Sequence, residues 1–254
     1  MSTLVRIGPP LAVAIVVLVG TGCAVAYWGQ LGHARGVLTA ALRAIGQLSL
    51  VALVLAMIVS SLPASLAFVA SMSLIASLTA ARRLSAGGAA GARAASACAV
   101  PVAAGPLLVV SGLLTLGVLP ATGVAIVPVA GILIGGAMTA TILAGRRGLE
   151  ELRTRKGEVE AALAIGLVGR EAALMVSRPA AAEALVPALD QTRTVGLVAL
   201  PGAFVGTLLG GATPVEAGAV QVLILVGVVA VQAIAVVMTV ELVARGVLRR
   251  APRG

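Results

Sequence analysis

Groups able to do chemistry are few in this chain and unevenly placed. There is one histidine, His33, two cysteines, Cys23 and Cys98, and nine carboxylates, seven of which (Glu150, Glu151, Glu158, Glu160, Glu171, Glu183 and Asp190) fall within residues 145–193. A zinc or redox centre needs Cys or His at short, regular spacing, and these three residues offer none. Acid–base catalysis needs a carboxylate pair or a His-containing cluster in one pocket. Outside 145–193 only Glu216 and Glu241 remain, and Glu241 stands four residues before Arg245, the spacing of an ordinary helical ion pair. The residue types therefore argue against an enzyme and against a dedicated metal cage, and they leave any metal ligands unidentified.

The same 145–193 stretch carries eight of the 18 basic residues: Arg146, Arg147, Arg153, Arg155, Lys156, Arg170, Arg178 and Arg193. The rest of the chain suits lipid. Hydrophobic residues make up 60%, charged residues 11%, and the mean hydropathy is +1.13, against about 25% charged for a soluble domain. One span takes about 20 apolar residues through a core about 30 Å thick. By that measure residues 10–28 form a first span, with Tyr27 and Trp28 suited to the interface. The uncharged run between Arg43 and Arg82 is too long for one helix, and Ser60-Ser61-Leu62-Pro63 divides it into spans two and three. Gly117-Val118-Leu119-Pro120 likewise divides the run between Arg93 and Arg146 into spans four and five. Residues 194–211 and 217–240 supply spans six and seven, separated by Thr213, Pro214 and Glu216. The expected fold is all-α: one transmembrane domain over 1–254, about seven spans, and a helical cytoplasmic insert at 145–193.

Basic loops are retained in the cytoplasm. Alternating sides along seven spans puts Arg35, Arg43, Arg82, Arg83, Arg93, the insert, Arg245, Arg249, Arg250 and Arg253 on one face and leaves only Arg6 opposite. The amino terminus is expected outside and the carboxyl terminus inside, in a plasma or inner cell membrane. The net charge of +9 and pI near 11.5 follow from those loops and their contact with anionic lipid, so no nucleic-acid partner is expected. Gly20-Thr21-Gly22-Cys23 is a poor match to a lipoprotein cleavage site, and cleavage there would remove a span that the charge pattern requires, so the first segment reads as a retained helix.

Within the insert, residues 145–156 continue span five as a helix leaving the membrane, with Glu151 and Arg155 four apart. Residues 158–164 read as a short amphipathic helix ended near Gly166. Gly169, Arg170 and Glu171 open a second, and Ser177 and Pro179 fit the N-cap and first turn of a third running to Asp190. Short charged helices tethered at both ends to spans are what a membrane subunit needs to engage a soluble motor; the plainer alternative is a solvated loop. In the spans, Gln47 is the deepest strongly polar side chain, followed by Thr139, Thr141, Gln221, Gln232 and Thr239. Such groups face protein or a water-filled cavity, lining a path or bonding between helices. Gly202, Gly206 and Gly210 in span six and Gly131 and Gly135 in span five have the spacing of close helix contacts. Pro201 within span six can unwind it and free carbonyls for a cavity.

Glu160-Ala161-Ala162-Leu163-Ala164-Ile165-Gly166 looks like the start of the Glu-Ala-Ala…Gly signature of ABC-transporter membrane subunits, without its downstream Ile-x-Leu-Pro part. Residues 184–202, from Ala184-Leu185-Val186-Pro187 to Leu200-Pro201-Gly202, followed by Gly210-Gly211-Ala212-Thr213-Pro214, resemble the FetB family of ABC permeases. So do Arg43-Ala44-Ile45-Gly46-Gln47-Leu48 and Pro128-Val129-Ala130-Gly131. That family is associated with iron export, and a plant branch with aluminium tolerance. Ala203 and Phe204 stand where relatives often carry methionine, which removes a thioether contribution there. The resemblance implies a permease subunit, working as a homodimer, that moves a small solute such as iron. It also implies a separate ATP-binding subunit holding ATP and magnesium, docked on Glu160, Ala161, Ala162, Gly166, Gly169, Arg170 and Glu171. A transport path past Gln47, Thr194, Gly196, Pro201 and Gly202 goes with that reading. The chain has no Gly-x-x-x-x-Gly-Lys-Ser/Thr loop, its single lysine, Lys156, being followed by glycine, so no cofactor is expected in this chain. The alternative is a self-contained secondary transporter or channel.

Overall fold

The computed structural model describes residues 8–85 and 92–248. In chain order the helices are α1 (Pro9–Trp28), α2 (Ala34–Ile58), α3 (Leu62–Leu84), α4 (Ala92–Thr115), α5 (Gly123–Thr154), α6 (Lys156–Ala164), α7 (Gly169–Ala182), a 3-10 turn (Glu183–Leu185), α8 (Val186–Thr194), α9 (Gly202–Leu209) and α10 (Pro214–Ala244). No strand forms among the described residues; the one β-type pairing, Val195 with Ala199, belongs to a turn. Arg6, Arg249, Arg250 and Arg253, which enter the charge pattern, lie outside the described residues.

Two compact units divide the chain, residues 1–59 and 60–254. In the first, Pro9 and Pro10 occupy the opening turn of α1, where their missing N–H groups cost nothing. α1 packs on α2 near Gly22, where a Cβ would come within 3.3 Å of Val37, and Cys23 Sγ donates to the Ala34 carbonyl at 3.6 Å. α2 buries none of its residues. It stops at Ile58 and α3 starts at Leu62, so the break falls where Ser60-Ser61-Leu62-Pro63 predicts it.

In the second unit α5 is central. One face, with Ala130, Ile134 and Ile142, packs against Ala76, Ala80, Ala81 and Leu84 of α3 and Ala97, Cys98 and Val102 of α4. The other, with Leu133, Ala137, Ala140 and Ala144, meets Val231, Ala235, Val236 and Val240 of α10 and Leu174 and Ala181 of α7. Alanine recurs at these contacts because small side chains let helix backbones approach in lipid, where packing rather than water exclusion holds helices together. α4 comes close to α10 at Gly105, where a Cβ would lie 3.3 Å from the Val231 backbone.

Among the described residues, seven stretches are long and apolar enough to cross a membrane. Five of the expected spans coincide with α1 to α5 and the last with α10. The sixth is a correction. Residues 194–211 are not one helix: α8 ends at Thr194, residues 195–201 are irregular, and α9 has only eight residues, about 12 Å. The sixth membrane-capable stretch is instead Gly169–Thr194, the least apolar of the seven with a hydropathy of 1.2. The expected third helix of the insert is also displaced. Ser177 is buried inside α7, where its hydroxyl donates to the Ala173 carbonyl at 2.7 Å, and Pro179 lies within the same helix. The chain changes direction later, through the 3-10 turn, and Pro187 rather than Pro179 occupies the opening turn of the next helix.

Candidate functional site

Two places in the 60–254 unit gather the residues singled out above. The first is the elbow between α6 and α7. α5 runs 32 residues, about 48 Å, and so outruns a core of about 30 Å. Its last turns carry paired charges, Glu150 with Arg153 at 2.5 Å and Glu151 with Arg155 at 3.6 Å. Arg155 also donates to Glu158 at 2.7 Å, and Lys156 pairs with Glu160 at 3.2 Å. The Arg155 hydrogen bond holds the Glu158 carboxyl below its ordinary range, and the Glu158 carboxylate raises Arg155 in turn.

Gly166, at φ +98°, ends α6. It lets the N–H groups of Gly166 and Leu167 turn back to the carbonyls of Leu163 and Ala162 at 3.0 and 3.1 Å, a helix stop that favours glycine. Of the residues expected at a docking surface, Glu160, Ala161, Gly166, Gly169 and Glu171 are exposed on this elbow, whereas Ala162 is buried beneath it. Arg170 is committed elsewhere: its Nε and Nη2 donate to Glu241 of α10 at 2.6 and 2.7 Å, and Arg245 shares the same carboxylate at 2.6 Å. Sequence reasoning missed the apolar tip of the elbow, Ile165 at 80% exposed and Val168 at 66%, with Leu163 beside them. The signal was available: apolar residues flanking a helix-ending glycine inside an otherwise charged stretch. A groove of about 520 Å³ runs along the outer side of α7 between Arg170, Glu171, Met175 and Arg178.

The second place is the break between α8 and α9. The Thr194 carbonyl takes the N–H groups of Leu197, Val198 and Ala199 at 3.3, 2.9 and 3.4 Å, and Gly196, at φ +80°, donates to the Ala199 carbonyl at 2.9 Å. The turn leaves Leu197 and Val198 exposed. Pro201 has no N–H to donate and precedes Gly202, the first residue of α9. Thr194, Gly196, Pro201 and Gly202 are thus brought together, while Gln47 lies on α2, in the other unit.

Gln221 has a structural task that the sequence did not disclose. It is buried, and its Oε1 accepts the Phe204 N–H at 3.1 Å, serving a first-turn donor of α9 that has no partner within its own helix. Thr139 and Thr239 donate to the carbonyls of Gly135 and Ala235, at 3.0 and 2.6 Å, and Gln232 is half-buried. Thr141 is buried and its hydroxyl has no hydrogen-bond partner. Gly131 makes the expected close contact, against Met72, but Gly202 and Gly206 have nothing within 4 Å of a Cβ position. Among the described residues no three His, Cys, Asp or Glu side chains come together as a metal site.

The model of an uncharacterised protein family, UPF0014, matches residues 10–248, both units included. This chain belongs to UPF0014. Among UPF0014 relatives, the rice UPF0014 membrane protein STAR2 is 40% identical over 127 residues, 50% of this chain and 45% of that protein. The Arabidopsis thaliana Protein ALUMINUM SENSITIVE 3 is 37% identical over 124 residues, 49% and 45% of the two chains. The probable iron export permease protein FetB of Escherichia coli is 30% identical over 99 residues, 39% and 38%. The matched region thus spans under half the length of these relatives. No solved structure matches. With seven membrane-capable stretches and membership of UPF0014, the chain is a multi-pass membrane protein.

Proposed function

We propose that this chain is the membrane-spanning permease subunit of an ABC transporter, working as a homodimer with two copies of a separate ATP-binding subunit. The amino terminus is outside and the carboxyl terminus in the cytoplasm. The observation that carries this reading is the elbow: an apolar tip, Ile165 and Val168, held out by a glycine-ended helix among ion pairs. Exposed apolar residues rimmed by charge are the surface a soluble partner covers. The docking surface is Glu160, Ala161, Leu163, Ile165, Gly166, Val168, Gly169 and Glu171, with Ala162 supporting it from below. The partner binds ATP and magnesium, so this chain hydrolyses nothing.

The solute is a small one, and the name of the E. coli relative directs the first choice to iron, exported. α7 opens the membrane-capable stretch Gly169–Thr194, but it carries Arg170, Glu171 and Arg178 and is tied by Arg170 to Glu241 near the end of α10, so we read it as a surface helix. The chain then enters the membrane after Asp190 and Arg193 of α8, through the 195–201 break and α9. Irregular backbone is tolerated at membrane depth only when protein or water covers it, which makes Thr194, Gly196, Pro201 and Gly202 the lining of the solute path.

A broken crossing is also how self-contained secondary transporters build their sites, so that reading has an observation of its own. One experiment separates the two. Gentle purification of the chain from its native membrane is expected to yield a stoichiometric ATP-binding subunit whose turnover depends on both chains. Solute movement by the chain alone, with no ATPase bound, would decide for the secondary transporter.

A further inference from the structure

α10 is gripped near both ends by groups from other elements. At one end Glu241 receives a two-pronged guanidinium from Arg170 of α7, at 2.6 and 2.7 Å. Arg245, one turn on, already serves this carboxylate, so the second cation is a link to the insert rather than a requirement of charge balance. At the other end Gln221 accepts the N–H of Phe204, the third residue of α9 and the first hydrogen-bonded position after the break. Twenty residues separate Gln221 from Glu241, about 30 Å along a helix. The only proline of α10 is Pro214 in its first turn, so nothing of that kind kinks the intervening length. Along the way α10 packs on α5 through small and β-branched side chains, Val231, Ala235, Val236 and Val240.

Both end contacts hold geometry. A guanidinium paired through two parallel hydrogen bonds fixes orientation as well as distance. The Gln221 amide is buried, so the Phe204 N–H has no solvent to replace it if the two helices part. A shift of α7 must therefore move α10 or break the clasp, and a shift of α10 must carry the first turn of α9 and the turn that precedes it.

We propose that α10 is a strut coupling the insert to the 195–201 break, with Glu241 and Gln221 as its positioning residues. This rests on the insert being the docking surface for an ATP-binding subunit. In operation, partner movement at the elbow is passed through Arg170 and Glu241 to α10, and through Gln221 to the break, where Leu197 and Val198 change their exposure.

The test uses the full chain in complex with the ATP-binding subunit that purifies with it, with Cys23→Ala and Cys98→Ala as background and Leu197→Cys as reporter. The rate of labelling by a water-soluble maleimide is measured with and without ATP. The expected result is a change of at least about five-fold on adding ATP, falling below two-fold in Glu241→Gln and in Gln221→Met, both with ATP turnover near that of the parent complex. Glu241→Asp, which keeps the carboxylate, should recover part of the response. A full ATP-dependent change in both Glu241→Gln and Gln221→Met overturns the strut, as does a parent complex that hydrolyses ATP with no change at position 197. A parent chain that binds no ATPase sinks the docking reading instead, so the two failures are distinct. Gln221→Met lies far from α7 and serves as the test on its own if Glu241→Gln fails to insert.

Discussion

α10 and the stretch from α8 to α9 are neighbours in sequence and in space, yet one is a 31-residue helix and the other is broken after nine. The difference lies at few positions. α10 starts with a complete capping box, in which the Thr213 hydroxyl accepts the Glu216 N–H at 3.3 Å while Glu216 accepts from the Thr213 N–H at 2.8 Å. Pro214 sits in its first turn, where it costs nothing. The other stretch places Gly196 in a left-handed conformation and Pro201 in its middle, and it recovers a helix only with help from Gln221. Hydropathy reports how apolar a segment is, and two or three residues decide whether it can be a helix.

Packing should separate the two regions most sharply. Gly105→Leu, with a Cβ forced to within 3.3 Å of the Val231 backbone where α4 meets α10, should cost about 1–3 kcal/mol through overpacking. Gly206→Leu on α9, where nothing lies within 4 Å, should change stability by under about 0.5 kcal/mol. Thermal unfolding of the two variants in the same detergent compares them directly, and equal losses would erase the contrast. A smaller effect is expected from the cap: Thr213→Ala should cost about 1 kcal/mol and raise amide exchange at the start of α10 while leaving α9 unchanged. Exchange that rises equally in both would mean the cap serves the whole stretch.

The smallest effect concerns the insert. Burying nothing, the Arg155–Glu158 pair stabilises the start of α6 only while Glu158 is ionised. The folded carboxyl titrates below its ordinary value of 4.5, so this contribution is complete above that value and is lost as pH falls through the depressed folded one. Amide protection of α6 should be flat from neutral pH down to the ordinary carboxylate range and decline only below it. The decline should be absent in Glu158→Gln and muted by salt, because the pair is at the surface. A decline that begins near neutrality would point to another group.

Much of the fold was legible because lipid imposes a simple rule: uncharged length counts spans, and Pro with Gly or Ser marks where they end. Ser60-Ser61-Leu62-Pro63 and Gly117-Val118-Leu119-Pro120 both fall at observed helix boundaries. The sixth crossing was misread because the same residue types punctuate differently inside an apolar run, and no local pattern shows that Gln221 will serve Phe204 seventeen positions earlier. Ser177 and Pro179 form a fair helix start on paper; in place, the Ser177 hydroxyl turns to the Ala173 carbonyl and the helix continues. In the candidate site, the helix stop near Gly166 and the helix start at Gly169 were readable, whereas the partner of Arg170, 71 residues away on α10, was not.

The central claim is that the elbow binds an ATP-binding subunit, and Ile165→Glu tests it most directly because Ile165 is 80% exposed and supports no core contact. ATP turnover and subunit stoichiometry would be measured on the complex purified from the native membrane, with and without this substitution. The account predicts a stoichiometric ATPase on the parent chain and at least a ten-fold loss of bound partner in Ile165→Glu, with the variant chain still folded and inserted. Retention of the partner at parental stoichiometry and turnover by Ile165→Glu would contradict it.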